Sequence, residues 1–220
     1  MPYRKNPINN SEIHHVFTKS IAGYKVFNTD YDFCRIIDAL CFYSLEDPPC
    51  KFAYYKNSIE KNSKSKFQQV QFDRLILRII AYCIMPTHIH LILEQSKDNA
   101  VSQYMNFILK SYSKYFNVKH KRKGPLWEGR FSNVRVETDE QLLHLTRYLH
   151  LNPVTAGIID RPQDWQFSSY REYLGLISED QRLCSYDQFF KIDSKSYKKF
   201  VNDQISYQRE LAKIKNMLME

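Results

Sequence analysis

Two histidines, His88 and His90, stand one residue apart in "YCIMPTHIHLILEQ" (82–95), a run otherwise suited to a buried β-strand. Imidazole fills a core poorly, because both ring nitrogens need partners and either can bind a metal. Side chains alternate between the faces of a strand. His88 and His90 therefore share one face with Glu94, while Ile89, Leu91 and Leu93 share the other. Two imidazoles so placed can chelate one ion. The pattern is met equally by two surface histidines on a half-exposed sheet, and two residues alone do not separate these readings.

A second set lies in "TDEQLLHLTRYLHLNP" (138–153). At 3.6 residues per helical turn, residues four apart stack on one face. His144, Tyr148 and Asn152 form such a polar line with Gln141 beside it, and Leu142, Leu145 and Leu149 form an adjoining stripe that can dock on a sheet. The helix so read carries a polar line ending in a tyrosine and an amide, next to its buried seam. The bland reading is a half-buried phenol with a wet hydroxyl and a solvent-facing histidine.

The third set is basic. Between Lys110 and Arg135 stand Lys110, Lys114, Lys119, Lys121, Arg122, Lys123, Arg130 and Arg135 against one acid, Glu128, in a chain whose net charge is +8. That concentration suits a phosphate-binding patch better than a solvated face. Tyr112, Tyr115, Phe116, Trp127 and Phe131 interleave with the cations, a combination that suits single-stranded nucleic acid through phosphate contacts and base stacking. The rings serve equally as core, and Trp127 in "GPLWEGRF" equally pins a turn to the body.

These residues need elements to hold them. "HHVFTKSI" (14–21) reads as a strand. "NTDYDFCRIIDALCFYSL" (28–45) reads as a helix capped by Thr29 or Asp30, with Phe33, Ile36, Ile37 and Leu40 at helical spacing. Residues 50–70 are polar, lysine-rich and aperiodic, and read as a long loop. "RLILRIIAYCIMP" and "THIHLILEQ" read as paired strands, 98–117 as a helix, "KHKRKGPLWEGRF" as a basic turn and "SNVRVET" as a short strand. The last core helix starts at Thr138 or Asp139 and is expected to end at Pro153. This order predicts an α+β fold, a ferredoxin-like antiparallel sheet with helices packed on it. Residues 1–175 are expected to form the catalytic domain and 176–220 a mostly helical C-terminal extension.

With 43% apolar and 15% aromatic residues, the 220-residue chain is not of disordered composition. Its five cysteines are odd in number and form no C-x-x-C, which argues against a disulfide scaffold or a structural zinc site and for a cytoplasmic protein. The N-terminal stretch has no hydrophobic centre of the signal-peptide kind, and the most apolar run carries Arg78 and is too short to span a bilayer.

"MPTHIHLIL", "GPLWEGRF" and "RYLHLNPVTAGIIDRPQDWQFSSYREYLG", in this order and spacing, resemble the IS200-like single-tyrosine transposases, in their REP-associated tyrosine transposase branch of the HUH endonucleases. The resemblance runs from about His14 to Gly175. It implies that His88 and His90 hold Mg²⁺ or Mn²⁺, that Tyr148 is the nucleophile, and that Asn152 stands where better-known relatives place a glutamine ligand. It further implies transesterification on hairpin-associated single-stranded DNA through a 5′-phosphotyrosine. DNA is then expected along Lys110, Lys114, Lys119, Lys121, Arg122, Lys123, Trp127 and Arg130, with nucleoid association when bound and a monomer or homodimer as the working unit. The competing expectation is a domesticated member of the same fold that binds nucleic acid without cutting it.

Overall fold

The structure, a computed structural model, describes residues 7–48, 50–62 and 75–217. Four antiparallel strands form one sheet: β1 (Ile13–Lys19), β2 (Leu77–Met85), β3 (His88–Gln95) and β4 (Ser132–Val136), in spatial order β2-β3-β1-β4. Helix α1 (Asp30–Ser44) connects β1 to β2, and α3 (Ala100–Lys119) connects β3 to β4. This is the ferredoxin-like arrangement that the element order predicts. β2 and β3 meet in a tight turn at Pro86 and Thr87, and their register pairs Met85 with His88 and Cys83 with His90.

The two faces of the sheet differ. Ile89, Leu91 and Leu93 are fully buried. Gln95, next in that alternation, accepts the Val101 N–H at the start of α3 through its Oε1. α1 and α3 pack side by side there, pinned by Tyr104 Oη donating to Leu40 O and Tyr112 Oη to Val26 O. On the histidine face lies α4 (Asp139–Thr155), packed chiefly on β2. Thr138 caps α4 by accepting the Gln141 N–H, with Asp139 and Glu140 in the first turn.

α4 does not stop at Pro153. It runs to Thr155 and closes where Ala156, Gly157 and Ile158 donate to Asn152, Val154 and Pro153 carbonyls, with Gly157 at φ +68°. Proline in a last turn forfeits only one backbone hydrogen bond, and glycine supplies the left-handed cap. The long loop expected at 50–70 is likewise corrected over its first part: α2 (Phe52–Asn62) is helical, and residues 63–70 lie outside the described residues. Its charged composition hides two anchors. Phe52 and Tyr55 pack on Phe42, and Lys56 reaches a buried ion pair with Asp38 at 2.6 Å.

Beyond Gly175 the chain is helical only in part. Residues 176–193 hold one short 3₁₀ turn and form a strap along β2, where Ser185 N–H donates to Ile79 O. α5 (Ser194–Asn202) and α6 (Ile205–Met217) then pack against α4. Leu183, Cys184, Tyr186, Tyr197 and Val201 belong to the same apolar core as the sheet.

α4 is tied down by a chain of hydrogen bonds that runs from β2 to the C-terminal helices. Tyr82 N–H donates to Ser169 Oγ (3.0 Å), which lies 2.8 Å from His150 Nε2 and 3.2 Å from Tyr82 O. His150 Nδ1 lies 2.7 Å from Tyr197 Oη, Tyr197 Oη donates to Thr146 Oγ1 (2.9 Å), and Thr146 Oγ1 to Leu143 O (2.8 Å). Burial holds the His150 imidazole down at about 3, so it stays neutral.

Candidate active site

Strand alternation, helical spacing and the pinned α4 bring three elements to one cleft of about 540 Å³. β1 contributes His15, Phe17 and Lys19, β3 contributes His88 and His90, and α4 contributes Tyr148. The Tyr148 ring is 45% exposed, and its centroid lies 5.8 Å from that of His90, edge to face. His88 and His90 have centroids 5.0 Å apart. Tyr148 and both histidines thus meet within a single chain.

His15 was not singled out by sequence reasoning. Its Nε2 lies 2.9 Å from His90 Nδ1, with the rings stacked at 5.1 Å and 21°. The signal available was the period of two in β1, which sets His15, Phe17 and Lys19 on one face. The neighbouring His14 is fully buried on the other face, against Glu12 and Asn133.

Burial lowers all three cleft imidazoles. His15 falls to about 4 by burial alone. His88 falls to about 4 through burial and then the Lys19 charge, opposed by a hydrogen bond with the Asn152 side chain. His90 falls to about 2 through burial, then His88, His15 and Lys19. The rings are therefore neutral at pH 7 and keep lone pairs for a cation or a proton.

The donor set suits a divalent ion. His88 Nδ1 is engaged by Thr87 Oγ1 at 2.9 Å and His90 Nδ1 by His15, so the ligand atom of each ring would be Nε2, with the Asn152 side chain hydrogen-bonded to His88 as its neighbour in the site. Asn152 lies against His88, and its Nδ2 is buried with no hydrogen-bond partner. The carboxamide would ligate through Oδ1, and its unpaired Nδ2 donors suit an acceptor such as a phosphate oxygen or water. Among the described residues no group of three or more His, Cys, Asp or Glu side chains is arranged to hold a metal. Two imidazoles and one carboxamide leave coordination positions for phosphate oxygen and water.

The other sequence candidates scatter. Glu94 turns to Arg78 at 2.6 Å. His144 engages Arg147 Nη2 at 2.8 Å and lies edge-on to Phe200, not against Tyr148. Trp127 is corrected: its ring is 7% exposed and Nε1–H donates to Leu109 O, so it anchors a turn and offers no face to a base. Tyr112, Phe116 and Phe131 are also buried. Lys110 and Lys114 line a groove of about 700 Å³ with Arg35, Tyr43, Phe52 and Phe107, between the helices on the face opposite the histidines. Lys119 is tied to the buried Asp32 carboxylate at 2.7 Å. Arg122 donates to Pro125 O, while Lys121, Lys123 and Arg130 are exposed on the loop that presents Glu128 to the cleft.

Comparison with known proteins agrees with this fold. The family model "Transposase IS200 like" matches residues 50–152. A protein named as a candidate REP-associated tyrosine transposase in Haemophilus influenzae is 28% identical over 101 residues, 41% of this chain and 57% of that protein's length. The REP-associated tyrosine transposase of Escherichia coli is 24% identical over 123 residues, 50% of this chain and 71% of that protein. Among solved structures, a REP-associated tyrosine transposase bound to a REP hairpin superposes with a TM-score of 0.52 at 16% identity, over 88% of this chain and 93% of that one. At that identity the likeness speaks for the fold. No helix among the described residues is long and apolar enough to cross a membrane.

Proposed function

This chain carries an IS200-like transposase domain, and from that premise we propose that it cuts and rejoins single-stranded DNA through a covalent bond to Tyr148. The observation that carries the reading is the half-exposed Tyr148 ring beside His90 in a cleft open to a polymer. Tyr148 Oη attacks a phosphorus, the Oη–P bond forms and the P–O3′ bond breaks. The phenol loses its proton and the departing 3′-oxygen gains one. The product is a 5′-phosphotyrosine and a free 3′-hydroxyl. A second 3′-hydroxyl reverses the step and joins strands with no external energy source.

A phenol has a pKa of about 10 and is a weak nucleophile at pH 7, so the target must be polarised and held. His88, His90 and Asn152 would hold Mg²⁺ or Mn²⁺, which when bound supplies charge to a non-bridging phosphate oxygen. The neutral imidazoles orient that site without having to release protons first. Lys19, on the same face of β1, adds positive charge where the phosphate would lie. Lys121, Lys123 and Arg130 carry the backbone of the DNA away from the cleft, and Lys110 and Lys114 belong to a second basic surface on the far side of the sheet. The substrate in this reading is a hairpin with a flanking single strand, and the setting is the cytoplasm, at the nucleoid. Since one chain supplies both Tyr148 and the histidines, the monomer suffices.

The test is covalent capture. Labelled hairpin DNA with Mn²⁺ should give a protein–DNA band that survives a denaturing gel. Tyr148→Phe should abolish that band while leaving hairpin affinity nearly unchanged, and His88→Ala should reduce it. A full-strength band from Tyr148→Phe would remove Tyr148 as nucleophile. Salt-sensitive hairpin binding with no band from the wild type would favour the non-cutting binding module.

A further inference from the structure

His15 lies outside the residues matched by the family model, yet it makes the closest side-chain contact to His90. The register explains the reach: β1 and β3 pair Phe17 with His90 and His15 with Ile92, so the two imidazoles are diagonal neighbours on one face. The geometry points to His15 as a positioning residue for the metal site, accepting the His90 Nδ1–H at its Nε2 and thereby leaving the His90 Nε2 lone pair free for the ion.

Two neutral imidazoles can share one hydrogen bond in either direction. If His15 donated, the proton of His90 would sit on Nε2 and that ring could not ligate there. If His90 donates, Nε2 is unprotonated and the ring is held at the 2.9 Å contact. Metal-bound histidines usually engage their second nitrogen in this way, which fixes tautomer and ring orientation. His88 already has its counterpart in Thr87 Oγ1. His15 is therefore the matching support for the second ligand and not a third ligand, since its own Nε2 is spent on His90. Its ring also lies edge-on to Tyr148, at 6.4 Å between centroids, so the same side chain abuts both the nucleophile and the ligand.

This inference rests on the proposed metal reading, and the experiment separates the two. Mn²⁺ binding to the protein alone is measured by electron paramagnetic resonance, in the wild type, His15→Ala, His15→Gln and Tyr148→Phe. His15→Ala should weaken Mn²⁺ binding by about 10–100-fold. His15→Gln, which keeps an acceptor on a side chain of similar reach, should recover part of that loss. Hairpin affinity without metal should stay within about threefold in both, and covalent adduct formation by His15→Ala should be rescued by raising Mn²⁺. Tyr148→Phe should bind Mn²⁺ like the wild type. Unaltered Mn²⁺ affinity in folded His15→Ala, or a His15→Gln no better than His15→Ala, would overturn the assignment of His15 alone. Failure of the wild type to bind Mn²⁺ would overturn the metal reading and this inference with it.

Discussion

Replacing Tyr197 by phenylalanine tests whether the C-terminal helices hold the helix of the nucleophile. The ring of Tyr197 is fully buried, and phenylalanine keeps its volume, so the change removes one oxygen and little packing. That oxygen lies 2.7 Å from His150 Nδ1 and donates to Thr146 Oγ1 at 2.9 Å. Thr146 keeps its own bond to Leu143 O, but His150 Nδ1 loses its partner in a fully buried site. One buried polar group left unpaired costs about 1–3 kcal/mol. In a chain of this size 1 kcal/mol moves Tm by about 2–4 °C, so a central loss of about 2 kcal/mol lowers Tm by about 4–8 °C. Thermal unfolding followed by circular dichroism at fixed pH and salt reads this directly. A Tm within about 1 °C of the wild type would refute the hold of Tyr197 on α4 through His150.

Three further outcomes follow from other parts of the molecule. Burial raises the Glu172 carboxyl to about 7, against backbone N–H donors from Leu183 and Cys184 that favour its charged form. The folded state then holds its proton more tightly than the unfolded chain, so stability falls as pH rises from about 4.5 to about 7 and levels above that, by up to about 3 kcal/mol. Glu172→Gln should flatten that slope in unfolding curves taken across this range, and parallel wild-type and variant profiles would sink the assignment. Lys56→Ala takes the ion-pair partner from buried Asp38 and should cost about 3–5 kcal/mol, whereas Lys56→Met with Asp38→Leu should restore most of it in denaturant titrations. For hairpin DNA, Lys121→Ala and Lys123→Ala should each reduce the slope of log K against log salt by about 1, and Trp127→Phe should leave it unchanged.

What was legible in the sequence is what two short periods determine. Alternation along β3 placed His88 and His90 together, and spacing by four along α4 placed Tyr148 and Asn152 in line. The docking of α4 on the histidine face follows from its leucine stripe, of which Leu142 and Leu149 are fully buried. Other features depended on long-range pairing that no local pattern carries. "IHHVF" offers two histidines, and only the pairing of β1 with β3 decides which of them meets His90. Trp127 sits in a basic turn and reads as a stacking ring, but an isolated bridge between Ser20 and Trp127 draws it into the core. α2 was obscured by its charges, since the Lys56–Asp38 pair and the contact of Phe52 with Phe42 are both tertiary. The same holds for the C-terminal segment, whose hold on α4 runs through the Tyr197 hydroxyl and side-chain packing at Phe200 and not through a recognisable repeat.

The reaction itself is tested most directly by locating the covalent bond. Adduct formed with hairpin DNA and Mn²⁺ would be digested with protease and nuclease, and the nucleotide-bearing peptide sequenced by mass spectrometry. The peptide containing Tyr148 should carry a 5′-linked nucleotide on the phenol oxygen. The same mass on a peptide holding any other tyrosine would contradict the account, whatever the strength of cleavage.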